Sequence, residues 1–245
     1  MIFNHPKRVW GRFKINIFLL HTKAKPVIMN RITFLLALLL PVTLFSQKDN
    51  DKKENHSIGI GIRGGLNFAN VTNASSINSS SQTGFHAGLF LSPTTKSVLG
   101  SRTELTFSRQ GYNYKTSSNS GSVKLDYLIL AQMMAINITK YVQLQIGGQT
   151  AVLLNAKADS VKQQSTGNAT ADKIMGFYNR IDYGLGGGIE FHPFKGILFG
   201  GRYTMSLANL YKSNTSSTGS MPSFIPGGNL NFRNNVVQVF AGYRF

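Results

Sequence analysis

Val236-Val237-Gln238-Val239-Phe240-Ala241-Gly242-Tyr243-Arg244-Phe245 closes the sequence and decides how the rest of it is read. Val237, Val239, Ala241, Tyr243 and Phe245 share one face of an extended strand, while Gln238, Gly242 and Arg244 share the other with Phe240. Successive side chains of a strand point to opposite faces, so the run has one apolar face with aromatics at its end. A soluble sheet buries such a face and its chain continues past it. In a membrane barrel the same face meets lipid, and an aromatic girdle marks the edge of the bilayer. The run predicts a lipid-facing strand, and the other strands must then turn their apolar faces to lipid as well.

Composition is compatible with a barrel and excludes several alternatives. The chain has 25 Gly, 17 Phe and 9 Tyr with 14% charged residues, yet its mean hydropathy is −0.08, far below that of a helical membrane protein. A barrel strand hides this way because only every second residue needs to be apolar. The absence of Cys rules out a disulfide scaffold, a Cys-ligated metal site and thiol catalysis.

Residues 32–45 form an apolar run interrupted by Pro41, preceded by Arg31 and followed by Ser46-Gln47. A basic residue, a short apolar stretch and a polar exit make the pattern of an export signal, and the stretch is shorter than the roughly 20 residues of a spanning helix. The expected organisation is an upstream extension or misassigned start at 1–28, a signal peptide at 29–46, a periplasmic leader at 47–57 and a barrel at 58–245. Lys7, Arg8, Arg12, Lys14, Lys23, Lys25 and Arg31 all precede residue 47, so export lowers the formal charge from +17 by seven, to +10. A basic exterior suits the phosphates of lipopolysaccharide. Export argues against nucleic acid.

Eight alternating runs follow. The first, 58–68, opposes Ile58, Ile60, Ile62, Leu66 and Phe68 to Gly59, Gly61, Arg63, Gly65 and Asn67. The second, 84–91, opposes Phe85, Ala87, Leu89 and Leu91 to His86, Gly88 and Phe90. The third, 98–110, opposes Leu105 and Phe107 to Arg102, Glu104, Thr106 and Ser108. In the fourth, 123–136, Val123, Leu125, Tyr127, Ile129 and Met133 alternate with Lys124 and Asp126, with Leu128 and Leu130 interrupting the polar face. The fifth, 142–154, sets Val142, Leu144, Ile146, Val152 and Leu154 against Gln143, Gln145 and Gln149. The sixth, 181–191, sets Ile181, Tyr183, Leu185, Ile189 and Phe191 against Asp182, Gly184, Gly186, Gly188 and Glu190. The seventh, 197–207, sets Ile197, Phe199, Tyr203, Met205 and Leu207 against Gly200, Arg202, Thr204 and Ser206. The eighth is the C-terminal run. The prediction is all-β: an eight-stranded antiparallel up-and-down transmembrane barrel.

Connections alternate in length. Short turns are expected at 92–96, 137–140 and 192–196, and long polar loops at 71–83, 111–122, 155–179 and 209–233. Bacterial outer-membrane barrels have short periplasmic turns and long outer loops, which would put both termini in the periplasm.

The quoted runs, with "GIRGGLNFA", "GFHAGLF", "ELTFSRQGY", "QLQIGGQTAVLLNAKA", "RYTMSLANL" and the terminal "VFAGYRF", resemble the PorT-like outer-membrane β-barrel proteins across 58–245. Strand four departs from that family, which commonly has a Pro shortly after its Tyr; here Tyr127 is followed by "LILAQ", with Ala131 near that place. The C-terminal Phe245 resembles the signal by which the barrel-assembly machinery of Gram-negative bacteria recognises its substrates. The resemblance implies fold and location. The founder of the family is linked to a secretion apparatus, whereas most relatives have no assigned role.

Gly59, Gly61 and Gly64 match the dinucleotide spacing G-x-G-x-x-G, but that motif needs a strand handing over to a helix, and here strand alternation continues to Phe68. Arg63, Arg102, Glu104, Lys124, Asp126, Asp182, Glu190, Arg202 and Arg244 are expected to point into the lumen and pair as a polar plug, because side chains fill so small a barrel. Past residue 46 the histidines are His56, His86 and His192; no acid or Ser is spaced to complete a triad with any of them, and His86 reads as a lumenal residue near the outer end of its strand. Ile174, Met175, Phe177 and Tyr178 form an apolar cluster in the 155–179 loop that needs the rim or another protein to cover it.

The expected protein is a monomeric, non-enzymatic outer-membrane barrel that binds or assembles through its outer loops or rim. No catalytic, cofactor-binding or metal-binding residue is assigned, and no cofactor is expected. Expected partners are outer-membrane lipid and lipopolysaccharide, the assembly machinery through the C-terminal strand, and an envelope protein. The alternatives are a lipid-modifying hydrolase or acyltransferase and, further off, a soluble calycin-like carrier.

Overall fold

A sheet in hydrocarbon must leave no edge open, because an unpaired amide there has no water to bond. The computed structural model, which describes residues 58–72, 78–93, 98–115, 120–160, 176–212 and 232–245, meets this by closure. The expected extension, signal peptide and leader, as well as Ile174 and Met175, lie outside the described residues. The strands are β1 (Ile58–Thr72), β2 (Ser80–Pro93), β3 (Leu99–Lys115), β4 (Ser120–Asn137), β5 (Val142–Ser160), β6 (Ile181–Phe191), β7 (Ile197–Ser206) and β8 (Arg233–Arg244). Each pairs antiparallel with the next, and β8 returns to β1 to close the barrel. The turn end carries the β2–β3, β4–β5 and β6–β7 connections, and the loop end carries the others.

Alternation sets the two faces as expected in β1, β2, β3, β6, β7 and β8, and in β5 up to residue 153. Ile62, Leu89, Leu105, Ile146, Leu185 and Val239 face outward, each about half exposed. Tyr141, Phe191, Phe194, Tyr243 and Phe245 ring the turn end as an exposed aromatic girdle, with the Tyr243 and Phe245 rings edge to face at 5.3 Å. A belt of this size, capped by aromatics, is a lipid-facing surface.

Two expectations need correction. The first concerns length: strands extend into all four segments read as loops, and the 111–122 segment is mostly strand, with β3 running to Lys115 and β4 starting at Ser120. The β3–β4 connection is therefore short, and the long-short alternation fails there. The second concerns β4, whose faces are the reverse of those expected. Val123, Leu125, Tyr127, Ile129 and Met133 are buried inside, whereas Leu128 and Met134 face out. Lys124 and Asp126 lie on the outer face and are not part of the lumen.

The reason is where the membrane stops. On β3, β4 and β5 the outward apolar positions span about 99–107, 128–136 and 144–154, close to the 9–11 residues a tilted strand needs to cross hydrocarbon. Beyond that band the outward residues become Arg109, Asp126, Asn155, Lys124 and Lys157. There the outside is water and the hydrophobic effect drives apolar side chains inward again. Opposite Asp126 and Tyr127, a register shift between Asn155 and Leu153 leaves Leu154 unpaired as a bulge, after which Ala156 takes the inward position. β3, β4 and β5 thus rise beyond the apolar band as a wall with an apolar inner and a polar outer face.

Candidate functional site

The lumen is built in two layers. Nearer the turn end, Arg63 from β1, Arg102 and Glu104 from β3, Gln145 from β5, Glu190 from β6 and Arg202 from β7 converge, all buried. Arg202 grips Glu104 with both terminal nitrogens, Nη1 to Oε2 at 2.6 Å and Nη2 to Oε1 at 2.9 Å. Arg63 Nη1 reaches the same carboxylate at 3.1 Å. Arg102 grips Glu190 at 2.6 and 2.8 Å, and His192 Nε2 lies 3.0 Å from Glu190 Oε1. Gln145 joins the halves, donating to Glu190 at 3.0 Å and accepting from Arg202.

Aromatic rings support the guanidinium groups from below. Arg63 lies over Phe240 at 4.5 Å and Arg102 over Phe90 at 4.4 Å. Those rings need space on the neighbouring strands. A Cβ at Gly61 would come within 2.1 Å of the Phe90 ring, and one at Gly200 within 2.5 Å of the Phe240 ring. At these two positions the glycines admit the rings. The first of them belongs to the G-x-G-x-x-G match, whose other residues continue the strand.

Above the ions lies a neutral polar layer. Gln238 accepts from Arg63 at 3.2 Å and donates to Asn67 at 3.2 Å. Asn67 donates to Ser108 at 2.9 Å and lies 2.8 Å from His86 Nδ1. His86 is therefore a mid-strand lumenal residue, not one near the outer end, and its bonded partner is an amide rather than a carboxylate. Asp182 accepts from Ser206 on the same inner side, and Arg244 faces inward at the turn end beside Gly59.

The loop end is closed by aromatic side chains. Val71, Tyr112, Tyr114, Val123, Leu125, Tyr127 and Leu153 from the wall and barrel pack against Tyr178, Leu210, Tyr211 and Phe232 from the β5–β6 and β7–β8 connections. Tyr178 and Tyr211 pair as an antiparallel bridge, and their rings stack at 5.0 Å. The Tyr112 hydroxyl hydrogen-bonds to both, at 3.1 Å to Tyr178 and closely to Tyr211. The cluster assigned from sequence to an exposed loop is thus partly covered by the barrel itself: Tyr178 is buried and Phe177 packs beside it. Tyr112 and Tyr114, two residues apart in a segment read as polar loop, carried the period-two signal that would have extended β3.

Burial pushes the Tyr178 phenol well above its ordinary value and that of Tyr211 up to about 12. A raised folded-state value means the neutral phenols stabilise the cap in full below about pH 10, the unfolded value, and that stability falls as pH rises towards 12. Tyrosinate absorbance in an alkaline titration should show a late-ionising class whose appearance coincides with opening of the loop end; ionisation of every tyrosine near pH 10 would contradict the cap.

Among the described residues no group of three or more His, Cys, Asp or Glu is placed to hold a metal ion. On the outer face Arg109 and Asp126 pair at 2.7 Å and 3.0 Å, a contact the sequence reading missed because it assigned Asp126 to the lumen.

Residues 45–212 match the family model of the outer membrane protein beta-barrel domain. The chain belongs to this family. With the closed eight-stranded sheet, this makes it an integral barrel of the bacterial outer membrane. Among solved structures the barrel is similar to Ail, the attachment invasion locus protein of Yersinia pestis, at 15% identity, a TM-score of 0.42 and coverage of 76% of this chain and 98% of that one. It is similar to Neisserial surface protein A at 14% identity, a TM-score of 0.46 and coverage of 77% and 99%. It is also similar to OprG from Pseudomonas aeruginosa at 12% identity, a TM-score of 0.38 and coverage of 80% and 99%. No curated protein matches the chain.

Proposed function

We propose that this outer-membrane barrel is a non-enzymatic binding or assembly component that acts at its loop end, outside the cell, with both termini periplasmic. The observation that carries this reading is the filling of the lumen: among the described residues, ion pairs, amides and a tyrosine cap stack along it, and the wall of β3, β4 and β5 stands beyond the apolar band at the loop end. The barrel works as a monomer, exported by a signal peptide and inserted through β8, with lipopolysaccharide around its basic outer face. The finer kinship we propose is with PorT-like barrels, on the strength of the five quoted runs and the terminal "VFAGYRF".

An impermeant thiol crosslinker on intact cells tests the reading. Cysteine at Lys157 should react and capture an envelope protein, while cysteine at Lys195, in the β6–β7 turn, should stay unreacted. His86→Ala should leave both the capture and the lipid composition of the outer membrane unchanged. Reaction at the Lys195 site in unbroken cells overturns the orientation, and a change in lipid acylation with fold and abundance preserved favours a lipid-modifying enzyme.

A further inference from the structure

Glycine weakens a strand, and in a strand interior it often marks a place where a ligand or another chain approaches closely. On the outer face of β1, nothing inside the barrel requires Gly64. Its backbone stays out of the left-handed region. A Cβ there would meet the His86 carbonyl at 3.4 Å and the Ala87 methyl at 4.0 Å, ordinary contact distances, whereas a Cβ at neighbouring Gly65 would come within 2.0 Å of the Val239 carbonyl. Across its two ladders Gly64 faces Ala87 on β2 and Ala241 on β8. With Ile62, Leu89 and Tyr243, these three line an outward recess of about 690 Å³; the other outward hollow, around Gly187 on β6, is about 350 Å³. Phe199 closes the row beyond Ala241 and Phe107 closes it beyond Ala87, so the furrow spans four strand spacings, about 19 Å. Phe199 stands near the start of β7 and Phe107 midway along β3, so the furrow climbs obliquely from the turn-end girdle into the apolar band.

Shape and charge choose the occupant. The wall of a second barrel is convex and stiff, and it would rest on the rims, formed by Leu66 and Val239 on the loop side and Ile62 and Tyr243 on the turn side, all about half exposed. A flexible acyl chain can lie between them. The lower end of the furrow opens beside the β6–β7 turn, where a Cβ at Gly196 would come within 2.7 Å of the Tyr243 ring and where Lys195 is exposed. Each of the turn-end connections, 92–98, 137–141 and 192–196, contains one lysine (Lys96, Lys140 and Lys195) and no Asp or Glu. Lysines at the level of the headgroups attract anionic lipid. We propose that the furrow over Ala241, Gly64 and Ala87 holds one acyl chain of an anionic glycerophospholipid from the leaflet at the turn end, with its phosphate beside Lys195. The aromatic girdle sets the depth of the headgroup, the furrow fixes the chain, and Lys195 selects the charge. The site lies on the lipid face and is independent of what the loop end binds.

The test uses the full chain in phosphatidylcholine nanodiscs doped with phosphatidylglycerol that carries a diazirine midway along one acyl chain. Irradiation should label residues 62–66 and 85–89 well above residues 185–189, which face lipid at the smaller hollow. A phosphatidylcholine probe with the same chain should label the furrow about fivefold less, the effect of one lysine beside an anionic headgroup, and Lys195→Gln should remove that preference. Gly64→Leu, for which the sheet has room, should abolish furrow labelling, while Gly187→Leu should leave it unchanged. Retained heat-modifiable gel mobility confirms that each variant is folded. Uniform labelling around the barrel, or furrow labelling that survives Gly64→Leu, overturns the proposal. Equal labelling by the two probes overturns the anionic headgroup, and a disulfide-linked dimer of Gly64→Cys in place of lipid labelling assigns the furrow to a second copy and overturns the lipid.

Discussion

Glu104→Ala is expected to destabilise the barrel by about 3–5 kcal/mol, the usual cost of leaving a buried charge without its partner. Glu104 is buried between Arg202, which grips it with both nitrogens, and Arg63, with Arg102 at 3.9 Å. Its removal leaves three arginines facing each other with Glu190 as the neighbouring carboxylate. Water cannot reach in to screen them, since these side chains are almost wholly enclosed. Urea unfolding in lipid vesicles, followed by gel mobility and circular dichroism, measures the loss. The double variant Glu104→Met with Arg202→Met should recover part of it, because matched apolar groups replace a buried pair at little cost, whereas one orphaned partner is expensive. A single-variant loss below about 1 kcal/mol would show the network to be hydrated and loosely held, in the range of exposed pairs.

Val239→Arg is expected to cost about 2–4 kcal/mol, the range for a cation on the lipid face near the bilayer midplane. Val239 is outward and 54% exposed, midway along β8 between the loop end and the Tyr243 girdle. Asn155→Arg, outward on β5 just beyond the apolar band and beside Asp126, should stay within about 0.5 kcal/mol of the parent. Gln145→Arg should be destabilising although it lies on the polar inner face, because a fourth arginine would enter a network already holding three. Equal losses at Val239 and Asn155 in the same unfolding assay would show that the band does not end where β3, β4 and β5 change from apolar to charged.

How far the sequence could be read differs by strand, and the difference follows from the solvent each residue meets. In β1, β2, β6, β7 and β8, lipid outside and a polar lumen inside give a plain period of two, legible one residue at a time. β4 lacks that contrast. Its lower half is apolar on both faces, with Met133 inside and Met134 outside, and its upper half is apolar inside because its outer face is in water. A rule that apolar means lipid-facing therefore inverted β4 and sent Lys124 and Asp126 to the wrong side.

The candidate site divides the same way. Arg63, Arg102, Glu104, Glu190 and Arg202 were legible as lumenal charges, since each falls on the polar face of a clean strand. Their partners were not, because the contacts join residues 41, 88 and 98 positions apart. The tyrosine cap was hidden for a further reason: Tyr178 and Tyr211 belong to connections without periodicity.

By itself, then, the sequence determined that this chain forms eight strands with one face for lipid, because lipid imposes the same local demand on every crossing and period-two alternation records it. Tertiary structure alone decided which carboxylate each arginine holds, which way β4 faces, and how far β3, β4 and β5 rise out of the membrane. Those depend on barrel closure and on the level at which hydrocarbon gives way to water, quantities that no residue carries in its own neighbourhood.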